Sequence, residues 1–150
     1  MRTWSLTVAL FLSSCALAQP PSPVFRGSWI ATAGPTQVFR GRWSGQSLPD
    51  RPNAANGSWA LLAATGQTVL EGTWAAEKTR AGWQGTWMAR TQQGQSFSGT
   101  WTADIAGSKG KTFEDMLKQT VEEQVAGSWR SGRYQGNWWL KGSPSLARPQ

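Results

Sequence analysis

The sequence predicts an all-β protein, an eight-stranded antiparallel up-and-down meander closed as a barrel, with one short α-helix inserted over about residues 112–124. Three observations lead there. A glycine is followed two residues later by a tryptophan eight times, at Gly27/Trp29, Gly41/Trp43, Gly57/Trp59, Gly72/Trp74, Gly85/Trp87, Gly99/Trp101, Gly127/Trp129 and Gly136/Trp138. The residues around each pair alternate between apolar and polar with period two. The units also follow one another too closely for anything but antiparallel connections.

Aligned on the glycine, the units read FRGSW, FRGRW, ANGSW, LEGTW, WQGTW, FSGTW, VAGSW and YQGNW. Side chains alternate faces along a strand, so Phe25, Gly27 and Trp29 point one way and Arg26, Ser28 and Ile30 the other. The first set stays apolar or glycine in every unit. The second is mostly Arg, Asn, Glu, Gln, Ser or Thr, and no helical period competes with this alternation.

Glycine to glycine the spacings are 14, 16, 15, 13, 14, 28 and 9 residues, and a strand plus a turn fills about 14 of them. Turn residues fall between units at Gly34-Pro35, over Pro49 to Asn53, at Gly66, at Gly94 and at Ser131-Gly132-Arg133. A parallel neighbour would need a crossover of roughly a dozen residues or more. Only the gap of 28 has room for another element. There Phe113, Met116, Leu117 and Val121 recur at helical spacing, with Thr112 as N-cap and Glu114 and Asp115 at the positive end of the dipole. Glu122 and Glu123 suit the other end poorly. The helix is expected to lie against the sheet or across one end of the barrel.

Eight such strands can close and so abolish both sheet edges. With glycine set opposite glycine, the interior is expected in three layers, the middle one a ring of glycines. Glycine within a strand costs roughly 0.5–1 kcal/mol, whereas burying an indole offers roughly 4–6 kcal/mol. The repeat is therefore favourable where the rings lie over glycines. The first unit, Gly27-Ser28-Trp29, resembles the first-strand Gly-x-Trp of the calycin barrels, lipocalins and avidins, in which it closes one end. Later units are similar to the glycine-x-aromatic strands of avidins, over about residues 24 to 141. The resemblance implies a barrel and no particular ligand.

Met1 to Ala18 has the form of an export signal: Arg2, an apolar run from Trp4 to Leu12, and Ala16-Leu17-Ala18 before Gln19. The apolar run is far short of the roughly 20 residues of a membrane-spanning helix. Cys15, the only cysteine, lies in Leu12-Ser13-Ser14-Cys15, which resembles a bacterial lipobox. Two destinations follow, a periplasmic or extracellular protein beginning at Gln19, or an outer-membrane lipoprotein anchored through Cys15. The expected organisation is a leader over 1–18, a Pro-rich linker over 19–23, the barrel over 24–141 and a loose tail over 142–150. Without Arg2 the charge is 14 minus 8, or +6, and no disulfide is available to the mature chain.

Catalysis is not expected. There is no histidine, and the carboxylates Asp50, Glu71, Glu77, Asp104, Glu114, Asp115, Glu122 and Glu123 form no pair on the apolar face. Neither an acid–base couple, an activated nucleophile nor a zinc site can be assembled from these residues. The glycines lie within strands and do not open a helix, so no phosphate loop is present. No cofactor and no nucleic-acid partner are expected, and a monomer is. Asn56-Gly57-Ser58 matches a glycosylation sequon.

Three binding readings remain. On the outer face Arg26, Arg40, Arg42, Arg130 and Arg133 are expected to converge where the eighth strand meets the first, beside Lys141. Trp139, the only barrel tryptophan on the polar face, joins them. Such a patch suits an anionic glycan, an envelope phosphate or an acidic protein. A barrel with glycines in its middle could instead be a hollow, aromatic-walled carrier of a small hydrophobic ligand, unless the indoles fill it. A third reading is a structural or inhibitor-like protein acting through its loops, Ser47 to Asn53 above all. Mass measurement of the exported protein checks the leader: a chain starting at Gln19 is expected, and a diacylated Cys15 at the terminus would establish the lipoprotein form instead.

Overall fold

The computed structural model describes residues 22–105 and 110–143, and the leader, Cys15 and most of the expected tail lie outside these. Eight strands follow in chain order: β1 (Phe25–Ala33), β2 (Gln37–Leu48), β3 (Arg51–Leu62), β4 (Thr68–Thr79), β5 (Gly82–Arg90), β6 (Ser96–Asp104), β7 (Val125–Ser131) and β8 (Tyr134–Ser143). One helix, α1 (Phe113–Glu122), sits between β6 and β7. Each strand pairs antiparallel with its chain neighbours and β8 pairs with β1, giving a closed up-and-down barrel. β8 takes in the first two residues of the expected tail, with Gly142 opposite Gly27 and Ser143 opposite Arg26.

The register differs from glycine-on-glycine. Within each hairpin the middles of the two units are level, so glycine faces tryptophan: Gly27 with Trp43 and Trp29 with Gly41, and likewise in β3/β4, β5/β6 and β7/β8. Across β2/β3, β4/β5 and β6/β7 tryptophan faces tryptophan, as Trp43 with Trp59, Trp74 with Trp87 and Trp101 with Trp129, while at β8/β1 Trp29 faces Leu140 and Trp138 faces Ala31. Within a hairpin each indole takes the residue opposite that has no side chain, and between hairpins strand tilt adds an offset, because closing a barrel requires neighbours to slip along one another. The slip is two residues at β2/β3, β4/β5 and β6/β7 and four at β8/β1, ten around the circuit. For eight strands that corresponds to a tilt of about 40°.

Each indole lies across the glycine of its hairpin partner, and the exchange is reciprocal. Trp29 covers Gly41 while Trp43 covers Gly27, and the other three hairpins repeat this. A Cβ on any repeat glycine would collide with a neighbouring ring and a backbone carbonyl. There is consequently no glycine-lined middle layer. Tryptophans of the odd strands form one tier, with Trp29–Trp59, Trp59–Trp87 and Trp87–Trp129 centroids 5.8, 6.1 and 6.2 Å apart, all edge to face. Even strands supply the second tier, where Trp74–Trp101 and Trp101–Trp138 stand at 6.3 and 5.9 Å.

α1 closes the end of the barrel nearest the second tier. Phe113 packs 4.5 Å from Trp83 and 5.9 Å from Trp74, and Met116 and Leu117 join the same core. The fourth buried residue is Thr120 in place of the expected Val121. Its Oγ1 donates to the Leu117 carbonyl at 2.6 Å and lies against Gly142, which has no side chain to obstruct it. Thr112 and Asp115 form a capping box. The poorly matched C-terminus takes a cation from elsewhere, since Lys141 Nζ on β8 donates to the Glu122 carbonyl at 2.8 Å.

Two turns depart from expectation. Ser47 to Asn53 is no loop: β2 continues to Leu48 and β3 resumes at Arg51, leaving Pro49-Asp50 as a tight hairpin turn with Ser47 buried. The β4–β5 turn at Arg80-Ala81 carries no signal among the expected breakers. It is built by Thr79, whose Oγ1 accepts from the Ala81 amide at 3.2 Å, and by Gly82 at φ 120°.

The outward belt between the glycines and tryptophans is Ser28, Arg42, Ser58, Thr73, Thr86, Thr100, Ser128 and Asn137. Hydroxyl pairs bridge it, Ser44 with Ser58 at 2.8 Å and Thr102 with Ser128 at 2.9 Å. Apolar within and polar without is the reverse of what a lipid-facing barrel needs. Among the described residues no helix is long and apolar enough to cross a membrane.

Two measurements check this architecture. Gly41→Ala forces a methyl against the Ala60 carbonyl and the Trp29 ring, and denaturant unfolding should show a loss of about 1–3 kcal/mol or more, while Ser28→Ala on the outer face stays within about 0.5 kcal/mol. Hydrogen bonds from the Thr112 amide and hydroxyl hold the Asp115 carboxyl below its ordinary range. A group depressed on folding stabilises above its unfolded pKa and loses that contribution as pH falls through its folded one. Thermal unfolding followed from neutral pH down into the acid range, below about pH 4, should thus show an acid-side loss that is smaller in Asp115→Ala.

Candidate binding face

Strand order decides which outward residues become neighbours. Arg26 lies between Ser44 and Ser143, Ser28 between Arg42 and Lys141, and Ile30 between Arg40 and Trp139. These are three successive outer rows on β2, β1 and β8, roughly 7 Å apart along the strands and about 4.8 Å apart across them. Arg26, Arg40, Arg42, Lys141 and Trp139 therefore share one face. Arg26, Arg40 and Arg42 are exposed and make no ion pair among the described residues. Lys141 is held by the Glu122 carbonyl. Trp139 is half-buried between Ile30 and Ala126. The tryptophan beneath the helix is Trp83, 1% exposed, with Phe113 edge-on to it.

Arg130 and Arg133 do not join this cluster. Arg130 stands four residues along β7 from Ala126, the partner of Trp139, which is about 13 Å. The expected convergence assumed level strands, and the four-residue slip at the β8–β1 seam carries the β7–β8 arginines toward the far end. Arg130 reaches the Gln135 amide oxygen at 3.4 Å. Arg133 lies over the Tyr134 ring at 5.2 Å and donates to its hydroxyl at 3.2 Å.

Sequence reasoning missed the distribution of acids over the closed surface. β7, β8, β1, β2 and β3 are five consecutive neighbours, and none contains an Asp or Glu. They carry Arg26, Arg40, Arg42, Arg51, Arg130 and Lys141. Of these Arg51 is neutralised by Glu77 across the β3–β4 pair at 2.6 Å. The signal was present in the unit strings, but barrel closure is needed to join β7 and β8 to β1–β3. At the edge of this face Arg130 lines a cleft of about 660 Å³ with Thr32, Thr100, Thr102, Ser128, Gln135 and Asn137. Short hydroxyl and amide side chains thus surround the one guanidinium group of the cleft, an arrangement that can hydrogen-bond hydroxyls and neutralise an anion.

Three of the carboxylates are engaged structurally: Glu77 with Arg51, Glu114 with Lys118 at 2.9 Å, and Asp115 in the helix cap. Among the described residues no three His, Cys, Asp or Glu side chains gather into a group able to hold a metal ion. Comparison with known proteins finds no matching family model, and no curated protein or solved structure matches the chain significantly.

Proposed function

We propose that the protein is an exported, non-catalytic binding protein of the cell envelope that takes an anionic glycan on the face formed by β7, β8, β1, β2 and β3. One observation carries the reading: five adjacent strands without a carboxylate present Arg26, Arg40, Arg42 and Arg130 among hydroxyl and amide side chains. A polyanion gains from every cation on such a face and meets no repulsion from it. The Ser, Thr, Asn and Gln side chains between the arginines favour a hydroxyl-rich ligand over an acidic protein, and the half-buried Trp139 adds an aromatic ring to the same face. The architecture is compatible with the calycin-like barrel that Gly27-Ser28-Trp29 resembles. A carrier role within the barrel is the weaker reading, because indoles in edge-to-face contact occupy the space a ligand would need. A role through loops is weaker too, since the segment from Ser47 to Asn53 is drawn into strands.

Binding of a sulfated polysaccharide, against neutral dextran and poly-glutamate, tests the proposal. The sulfated polymer should bind, more weakly as salt rises, and dextran should not. Replacing Arg26, Arg40 and Arg42 together with glutamine should weaken binding at least about tenfold, or about 1.4 kcal/mol. Undiminished binding by that variant would overturn the assignment of the face, and poly-glutamate binding as tightly as the glycan would favour an acidic protein partner.

A further inference from the structure

The two ends of the barrel differ in chemistry. α1 seals one, whereas the other is formed by four hairpin tips, over 34–36, 63–67, 91–95 and 132–133. Beside each tip stands one exposed, large apolar or aromatic side chain: Val38 at 56%, Val69 at 53%, Phe97 at 42% and Tyr134 at 59%. Phe97 and Tyr134 share the inward face of their strands with Gly99 and Gly136 and so stand at the mouth. Val38 and Val69 face outward and stand on its rim. A core role does not account for them, since α1 packs at the opposite end.

Charge divides along the same axis. Of the eight carboxylates, Asp50, Glu77, Asp104, Glu114, Asp115, Glu122 and Glu123 lie at the helix end. The eighth, Glu71, sits opposite Arg90 in the β4–β5 ladder. The four tip segments contain no acid, and Arg90, Arg130 and Arg133 stand near them. Apolar side chains bordered by guanidinium groups thus form the positive pole of the molecule.

That combination selects among occupants. A soluble polyanion would use the arginines and leave the apolar ring in water. A second copy would bring positive pole against positive pole. An anionic bilayer surface satisfies both at once: apolar tips enter the boundary between headgroups and acyl chains while the arginines meet phosphate. Tyr134, with Arg133 lying over its ring and bonded to its hydroxyl, is suited to that boundary, where one end of the side chain is apolar and the other wet. We propose that the protein docks end-on to an anionic phospholipid surface through Val38, Val69, Phe97 and Tyr134, with Arg90, Arg130 and Arg133 against the headgroups. Arg130 on β7 borders both this surface and the glycan-binding face, whereas Arg26, Arg40 and Arg42 belong to the glycan-binding face alone.

Co-sedimentation with vesicles tests it. The full-length mature protein should bind vesicles of equimolar phosphatidylglycerol and phosphatidylcholine, lose binding as salt rises, and fail to bind phosphatidylcholine alone. Serine at Val38, Val69, Phe97 and Tyr134 together should weaken binding at least about tenfold, and Arg130→Gln with Arg133→Gln roughly fivefold per arginine. Because Phe97 and Tyr134 point inward, Val38→Ser/Val69→Ser alone serves if the fourfold variant does not fold, with at least about a threefold loss expected. The Arg26/Arg40/Arg42 glutamine variant should keep vesicle binding. Equal binding to phosphatidylcholine alone would overturn the proposal, as would retention of binding by the tip variants. So would self-association of the wild type that the tip variants abolish.

Discussion

Everything in this barrel depends on the reciprocal placement of an indole over a glycine between paired strands. Tryptophan is the largest side chain, and rings of them fit inside eight strands only where the facing residue has no side chain at all. The arrangement also solves the indole's polar problem. Trp29 donates Nε1–H to the Arg42 carbonyl at 3.0 Å, Trp74 to Ser44 at 3.0 Å, Trp129 to Thr32 at 2.9 Å and Trp138 to Ser128 at 3.0 Å. A buried N–H without a partner would be costly, and here the backbone the ring lies on provides the acceptor. At these positions glycine thus does two things, admitting the ring and letting a carbonyl come within its reach. Trp83, outside the repeat and under α1, lacks this provision, and its buried Nε1 has no hydrogen-bond partner among the described residues.

The same interaction sets the outer surface. Once glycine must face tryptophan within a hairpin, the residues between them come level, and Ser28, Ser58, Thr73, Thr86, Thr100 and Ser128 line up as a belt of short hydroxyl side chains. Arg42 stands within the belt opposite Ser28, and the other outward arginines stand above and below it. The positions of charge on the outside are therefore tied to packing on the inside. A slip of two residues in one strand would leave every side chain on its proper face and still move a cation about 7 Å.

That explains what could be read from the sequence and what could not. Strand number, antiparallel order, closure and the helix starting after Thr112 follow from local pattern: alternation, turn residues and a capping box. Register does not, because glycine-on-glycine and glycine-on-tryptophan keep the same faces inward and differ only by a slip that tilt decides. From that single uncertainty came two expectations, a glycine-lined middle, which rests on glycine-on-glycine pairing, and five converging arginines, which rest on an unslipped β8–β1 seam. Thr120 displaced Val121 as a buried residue because Gly142 on β8 leaves a gap there, a long-range fact invisible in helical spacing. The segregation of acids to one end was equally hidden, because the acids of the helix and of the hairpin tips near it are scattered along the chain and meet only when the barrel closes.

The contacts that join α1 to β8 give the barrel a defined seam. A chain of near-identical strands has many ways to close: units could skip, start one hairpin late, or exchange hairpins with another copy, since repeated units offer interchangeable partners. The interior would look much the same in each. Thr120 against Gly142 and Lys141 on the Glu122 carbonyl are contacts that join the helix to β8. They mark β8 as the strand that finishes the circuit, so the one irregular insertion in a repetitive sequence is what tells the chain where its ring ends.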